Sequence, residues 1–182
     1  MELEPCKYYH IYNRSNGGEL VFKSSENYKY FLGKFRERLD DSLIVYAYCL
    51  MPTHFHFLAK VVTDEITHLK KQIGLLLSSY TKAYNIAYQS HGSLFQQHTK
   101  AILIDDENYL LTLLSYIHQN PIRANLVKRL EDWPFSSYRD LAGLRNGTLP
   151  NKTIIRAHFS TTDDFITFSK QTISDVSDKY WI

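Results

Sequence analysis

From Tyr8 to Ile104 the apolar residues of this 182-residue chain alternate between two spacings, and the order of those spacings leaves few architectures open. Tyr8 to Asn13 is rich in β-formers and runs into a turn at Asn16-Gly17-Gly18, so it reads as strand and loop. Ser25 to Leu39 sets Tyr28, Phe31, Leu32, Phe35 and Leu39 at helical steps with charges between them. Ser42 to Leu50 and Thr53 to Val62 read as two strands divided by a turn at Met51-Pro52. Ile66, Leu69, Ile73, Leu76, Tyr80, Ala83 and Ala87 return at steps of three and four, the stripe of a long amphipathic helix. Leu94 to Ile104 is expected to be a further strand. Asp105 or Asp106 then caps a helix from about Glu107 to His118, which should stop near Asn120-Pro121 because a proline restricts the residue before it. The order β-α-β-β-α-β plus a final helix predicts an α+β, ferredoxin-like split βαβ fold, an antiparallel sheet with helices on one face. After Val127 the pattern is lost and Pro134, Gly143, Gly147 and Pro150 punctuate the chain. Residues 1–130 are therefore expected to form the domain, and residues 131–182 an extension packed on it without a second core.

One strand of this scheme carries an anomaly. In CLMPTHFHFLAKV, Cys49 to Val61, His54 and His56 flank Phe55. Side chains of an extended chain alternate between faces, so the two imidazoles share one face while Phe55 and Phe57 share the other. With 8 histidines in the chain, chance supplies about 0.3 His-x-His pairs, so the bare motif leaves both a metal site and a merely polar strand face open.

Composition narrows the classes. A 44% hydrophobic content over this length suits a globular domain with a proper core. The N-terminus MELEPCKYYHIY is acidic where a secretory leader is basic, and no segment has the apolar length of a membrane span, so residence in the cytoplasm is expected. Cys6 and Cys49 form no CxxC and no metal framework. The net charge is only +2, but its distribution is uneven: no Asp or Glu occurs from Ile66 to Ile104, where Lys70, Lys71, Lys82 and Lys100 lie. Such a segment could hold a polyanion or simply be a solvated helix face.

Five strings carry a resemblance: YHIYNR (9–14), YCLMPTHFHFL (48–58), LFQQHTKAILID (94–105), YIHQNPIRANLV (116–127) and WPFSSYRDLAG (133–143). In that order and spacing they resemble the REP-associated tyrosine transposases, relatives of the single-tyrosine insertion-sequence transposases in the HUH (His-hydrophobe-His) nuclease superfamily. The resemblance runs from about Tyr9 to Gly143 and leaves Leu144 to Ile182 unmatched. It implies nicking and strand transfer of single-stranded DNA, or of DNA hairpins, through a 5′-phosphotyrosine. It implies Tyr116 as nucleophile and His54, His56 and Asn120 as ligands of Mg²⁺ or Mn²⁺, with no nucleotide cofactor. Asn at position 120, where the insertion-sequence branch usually has Gln, points to the REP-associated branch, and His98 stands where many relatives have Arg or Phe.

The spacing suits this chemistry. Tyr116 and Asn120 are four residues apart, so on a helix they project from one face, whereas His118 lies about 200° round from Tyr116. Two neutral imidazoles and an amide oxygen leave a hard divalent ion its charge and open positions for phosphate and water. Arg14, Lys70, Lys71, Lys82, Lys100 and Arg123 are the candidate DNA contacts, and Tyr80, Tyr84 and Tyr88 read as packing residues of the long helix. A DNA-hairpin-binding protein that has lost cleavage is the alternative, which the complete His54, His56, Tyr116, Asn120 set argues against. A small metal hydrolase is disfavoured, because no acidic residue in a matched string offers itself as general base.

Overall fold

The computed structural model describes residues 1–171 and 173. The elements run β1 (Tyr8–Arg14), α1 (Ser25–Leu39), β2 (Leu43–Met51), β3 (His54–Val61), α2 (Ile66–Tyr88), β4 (Lys100–Ile104) and α3 (Glu107–Arg123). A 3₁₀ turn (Leu130–Asp132) and three short helices follow, α4 (Tyr138–Leu141), α5 (Thr153–His158) and α6 (Thr162–Lys170). The four strands form one sheet in the order β2-β3-β1-β4, every neighbouring pair antiparallel. This is the ferredoxin-like arrangement.

Strand alternation sorts the sheet into two faces. Tyr9 and Ile11 of β1 and Phe55, Phe57, Ala59 and Val61 of β3 pack with Tyr28, Phe31, Phe35 and Leu39 of α1 and Leu69, Ile73, Leu76, Tyr80 and Tyr84 of α2. The opposite face, with Leu58 and Ile104, is covered by Leu110, Leu113, Leu114, Tyr116 and Ile117 of α3. The sheet is thus covered on both sides, with the β-α-β-β-α-β helices on one and α3 on the other. β2 serves both faces through a bulge between Val45 and Ala47. The extra residue shifts the alternation, so that Leu43 and Val45 before it and Tyr48 and Leu50 after it meet α1 and α2, while Tyr46, Ala47, Cys49 and Met51 meet α3.

Three sequence expectations need correction. Leu94–Ile104 is not one strand: only Lys100–Ile104 joins the sheet as β4. Ser15 pairs with Phe95 and Tyr12 with Lys100, so the three steps from Tyr12 to Ser15 face five from Phe95 to Lys100 and the ladder opens between them. The Asn13 amide fills the opening, donating to the Gln96 carbonyl and to Thr99 Oγ1. Second, α3 passes through Pro121 and ends a turn later. It stops at Asn125, whose φ of 55° lies in the left-handed region. There Asn125 N–H donates to Ile122 O and Leu126 N–H to Pro121 O, the paired bonds of a Schellman ending. Third, the segment after Val127 is not irregular but contains the short helices just given.

That segment also guards the sheet edge. Leu50 N–H donates to Phe135 O and Ser137 N–H to Tyr48 O, so residues 135–137 pair with the outer side of β2, where a bare strand would invite association. Tyr138, Leu141, Ile154, Ile155 and Phe165 share the apolar cluster of α3. The Gln119 amide of α3 donates to the carbonyls of Ser169 and Gln171, tying the end of α6 to the same helix. A buried Asp140 carboxylate accepts from Arg145 and from Gly147 N–H; a Cβ at 147 would collide with that carboxylate, which accounts for the glycine.

Candidate active site

The face of the sheet under α3 carries the chemistry-bearing residues. β3 enters the sheet at His54, and alternation turns His54 and His56 towards α3, their ring centres 5.0 Å apart. On β1, Tyr8, His10 and Tyr12 have the same parity, and the register places Tyr12 opposite His56 and His10 opposite Leu58. From above, α3 lowers Tyr116 edge-on to His56, with ring centres 5.9 Å apart. Asn120 and Arg123 follow Tyr116 at i+4 and i+7 on the same side of the helix, and the Arg123 guanidinium lies 5.8 Å from the centre of the Tyr116 ring.

The passage of α3 through Pro121 is what keeps Asn120 in register. Its amide nitrogen donates to the Tyr116 carbonyl at 3.0 Å, which leaves the amide oxygen as the acceptor it can present to a ligand. The nucleophile candidate and the ligand candidate are therefore one turn apart on the same helix, with the Tyr116 ring against His56.

Electrostatics follow from burial. His56 is wholly buried, and desolvation, helped by the neighbouring His10 and His54, holds its pKa well below the ordinary imidazole value. Desolvation and then the Arg14 charge lower His54 to about 4, and desolvation lowers His10 to about 3. All three are neutral at pH 7, the state in which an imidazole can ligate. Burial raises the Tyr116 phenol above its ordinary value. The Arg123 charge opposes that rise, Tyr12 adds to it, and a hydrogen bond from the Asn120 side chain opposes it again.

The donors suit a divalent ion. His54 Nδ1 lies 3.0 Å from Thr53 Oγ1, so its Nε2 is the atom left for a ligand. His56 Nδ1 is hydrogen-bonded to His10, while His56 Nε2 is buried with no hydrogen-bond partner among the described residues. A buried nitrogen in that condition costs about 1–3 kcal/mol, and coordinating an ion would remove the cost. Among the described residues, no cluster of three or more His, Cys, Asp or Glu side chains is placed to hold a metal. An ion held here would have two imidazoles and an amide to bind it, an open donor set unlike the closed one of a structural zinc centre.

The remaining candidates divide by position. Arg14 is exposed beside His54, on the rim of a hollow of about 490 Å³ shared with Gly17, Gly18 and Gln96. Lys100 is exposed in another hollow with Tyr12 and His98. Lys82 lies in an open groove of about 760 Å³ between α2 and residues 93–99, lined by Leu77, Ile86 and Phe95 as well as by side-chain amides and hydroxyls. Lys70 and Lys71 are exposed near the start of α2, about 18 Å along the helix from Lys82, and are not gathered at the site. Tyr80, Tyr84 and Tyr88 pack as expected, their hydroxyls donating to Val21 O, Leu20 O and Asn27 Oδ1. His118 points away from Tyr116 to Ser137, Tyr138 and Phe165.

Sequence reasoning assigned no role to His10 and Tyr12. Both stand in the string YHIYNR, but only the pairing register of β1 with β3 shows that they meet His56.

No family model matches the chain. A Haemophilus influenzae protein bearing the name REP-associated tyrosine transposase is 29% identical over 100 residues, covering 50% of this chain and 57% of that protein. A solved structure of a REP-associated tyrosine transposase bound to a REP hairpin superposes with a TM-score of 0.58 at 19% identity, over 83% of this chain and 92% of that one. The chain resembles REP-associated tyrosine transposases. The structural likeness establishes the shared fold, and the sequence match spans little more than half of the curated relative. Among the described residues, no helix is long and apolar enough to cross a membrane.

Proposed function

We propose that the chain is a tyrosine transposase of the REP-associated type, a metal-dependent enzyme that nicks single-stranded DNA at hairpin elements and carries the cut strand on Tyr116. The observation that carries this reading is the Tyr116 ring edge-on against His56, with Asn120 one turn further along the same helix. The matched Haemophilus influenzae protein bears the same family name, and the solved structure of this fold holds a REP hairpin.

His54 and His56, through Nε2, and Asn120, through its amide oxygen, would hold Mg²⁺ or Mn²⁺. Such an ion polarises a phosphate and offsets the charge that develops on it. The Tyr116 oxygen would attack the phosphorus, forming the phosphotyrosine bond as the bond to the 3′ oxygen breaks; the phenolic proton passes to solvent and the leaving 3′ oxygen takes up a proton from water. The product is a 5′-phosphotyrosine and a free 3′-OH. Because the new ester conserves the phosphodiester linkage, rejoining to another strand requires no nucleotide cofactor. The raised pKa of the phenol works against its ionisation, and the Arg123 charge beside the ring partly restores it. Arg14 and Lys100 flank the site and would position backbone phosphates, and Lys82 lies in the groove that shares Gln96 with the hollow beside Arg14. Lys70 and Lys71 would be reached only by a longer stem.

The reading is tested with hairpin DNA carrying an unpaired foot, and with the same sequence as continuous duplex. Cleavage is expected of the hairpin alone, since an unpaired strand can be bent to put its phosphate in line with Tyr116 whereas duplex must first be opened. EDTA or His56→Ala should abolish it while binding persists, because phosphate contacts supply most of the affinity. Equal cleavage of duplex, or full activity of His56→Ala in EDTA, contradicts the proposal.

A further inference from the structure

We propose that His10 is a positioning residue for the metal ligand His56, fixing both the orientation of its ring and the nitrogen that carries its proton. The inference rests on the reading of His54, His56 and Asn120 as metal ligands, and it deepens that reading.

His10 Nε2 and His56 Nδ1 are 2.9 Å apart, both side chains fully excluded from solvent. The ring planes differ by 15° and the ring centres are 5.1 Å apart. A ring nitrogen lies roughly 1.1 Å from its ring centre, so an in-line bond of this length between coplanar rings places the centres about 5.1 Å apart, whereas face-to-face stacking would keep the nitrogens beyond about 3.4 Å. The contact is therefore a head-on hydrogen bond in the plane of both rings. Such a bond admits one proton, which belongs to either His10 Nε2 or His56 Nδ1.

The distal nitrogens decide what each alternative permits. His10 Nδ1 and His56 Nε2 are both buried with no hydrogen-bond partner among the described residues. If His10 donated, a neutral His56 would carry its proton on Nε2 and could not ligate there. With His56 Nδ1 donating to His10 Nε2, the Nε2 lone pair of His56 is left free for a ligand, on a ring that Tyr116 of α3 meets edge-on. A ligating imidazole that donates its other N–H to a fixed acceptor is the usual support of a metal site, and here a second imidazole is that acceptor. The sheet supplies the rigidity: β1 and β3 are paired along their whole length, so the spacing of the two rings is set by the backbone ladder.

The test is Mn²⁺ affinity, followed by the loss of the free-ion paramagnetic resonance signal in the full chain without DNA. His10→Phe keeps a ring and removes the acceptor, and it should weaken Mn²⁺ binding by about 10-fold to 100-fold. His10→Gln retains an acceptor near the Nε2 position and should stay within about threefold of the wild type, which separates the hydrogen bond from ring packing. Thermal melting in EDTA identifies any variant that fails to fold; if His10→Phe does, the Gln variant and the wild type still decide, because loss of Mn²⁺ binding in a folded His10→Gln contradicts the proposal. Wild-type affinity in His10→Phe overturns it while leaving the metal site intact, provided His56→Ala binds weakly. Equal binding by His56→Ala and the wild type removes the metal reading itself and the role of His10 with it.

Discussion

At the scale of single residues, the site is a set of buried groups each kept in its neutral form. Tyr116 is almost fully buried, and the desolvation that raises its pKa is opposed first by Arg123. Arg123→Gln removes that opposition, so the phenol should ionise at higher pH. The rate of adduct formation near neutral pH should fall by about tenfold, equivalent to about 1.4 kcal/mol, and its pH profile should move in the alkaline direction. A profile that drops in height without moving would assign Arg123 to DNA contact alone. The family resemblance named His54, His56, Tyr116 and Asn120 as candidates, but nothing in the sequence assigned His10. Parity along one strand says only that His10 and Tyr12 share a face; that this face is the one bearing His56 depends on β1 pairing with β3, a contact between residues 46 apart.

At the scale of elements, the helices and the hairpin of β2 and β3 were legible because their apolar periods are long and regular. The end of α3 was not. Proline lacks the N–H that a helix interior uses and disfavours the helical form in the residue before it, so local rules stop the helix at Asn120. The helix continues because residues 113–121 are buried against the sheet and the C-terminal segment, and because Asn125 accepts the left-handed conformation that closes the last turn. Asn125→Val should cost about 1–2 kcal/mol in chemical denaturation, while Asn125→Gly should be neutral or mildly stabilising. Equal effects of the two substitutions would mean that the turn is not set by backbone conformation at this residue. The break between Phe95 and Lys100 escaped sequence reading for a similar reason: it arises from unequal numbers of residues facing β1, which no local pattern records.

At the scale of the whole molecule, four of the eight histidines are held neutral by burial, and this couples stability to pH. His10 and His118 are lowered to about 3 and His54 to about 4, with His56 well below its ordinary value, in each case chiefly by desolvation. Unfolded, each takes up a proton near pH 6.5; folded, His54 does so only near pH 4, His10 and His118 only near pH 3, and His56 only well below its ordinary value. The unfolded state therefore binds more protons between these values, so the stabilisation is complete above about pH 6.5 and is lost as pH falls towards 4 and then 3. For His10, His54 and His118 the loss amounts to as much as about 1.4 kcal/mol per pH unit, or about 2 kcal/mol each between pH 6.5 and 5, and His56 adds a loss of the same sign. The urea midpoint should consequently fall between pH 7 and pH 5, before most carboxylates protonate. A flat midpoint over that interval would contradict neutral burial. His118, which supports the C-terminal segment rather than the site, offers a control: His118→Gln should reduce the slope by one proton.

The central claim is that Tyr116 is the nucleophile over a metal-binding histidine pair, and the most direct measurement is the covalent protein–DNA adduct formed on hairpin DNA with Mn²⁺, resolved under denaturing conditions. The wild type and Tyr109→Phe, a control on the same helix, should form it, whereas Tyr116→Phe, which loses one oxygen and keeps the ring, should bind the DNA and form none. An adduct that persists in Tyr116→Phe would contradict the account.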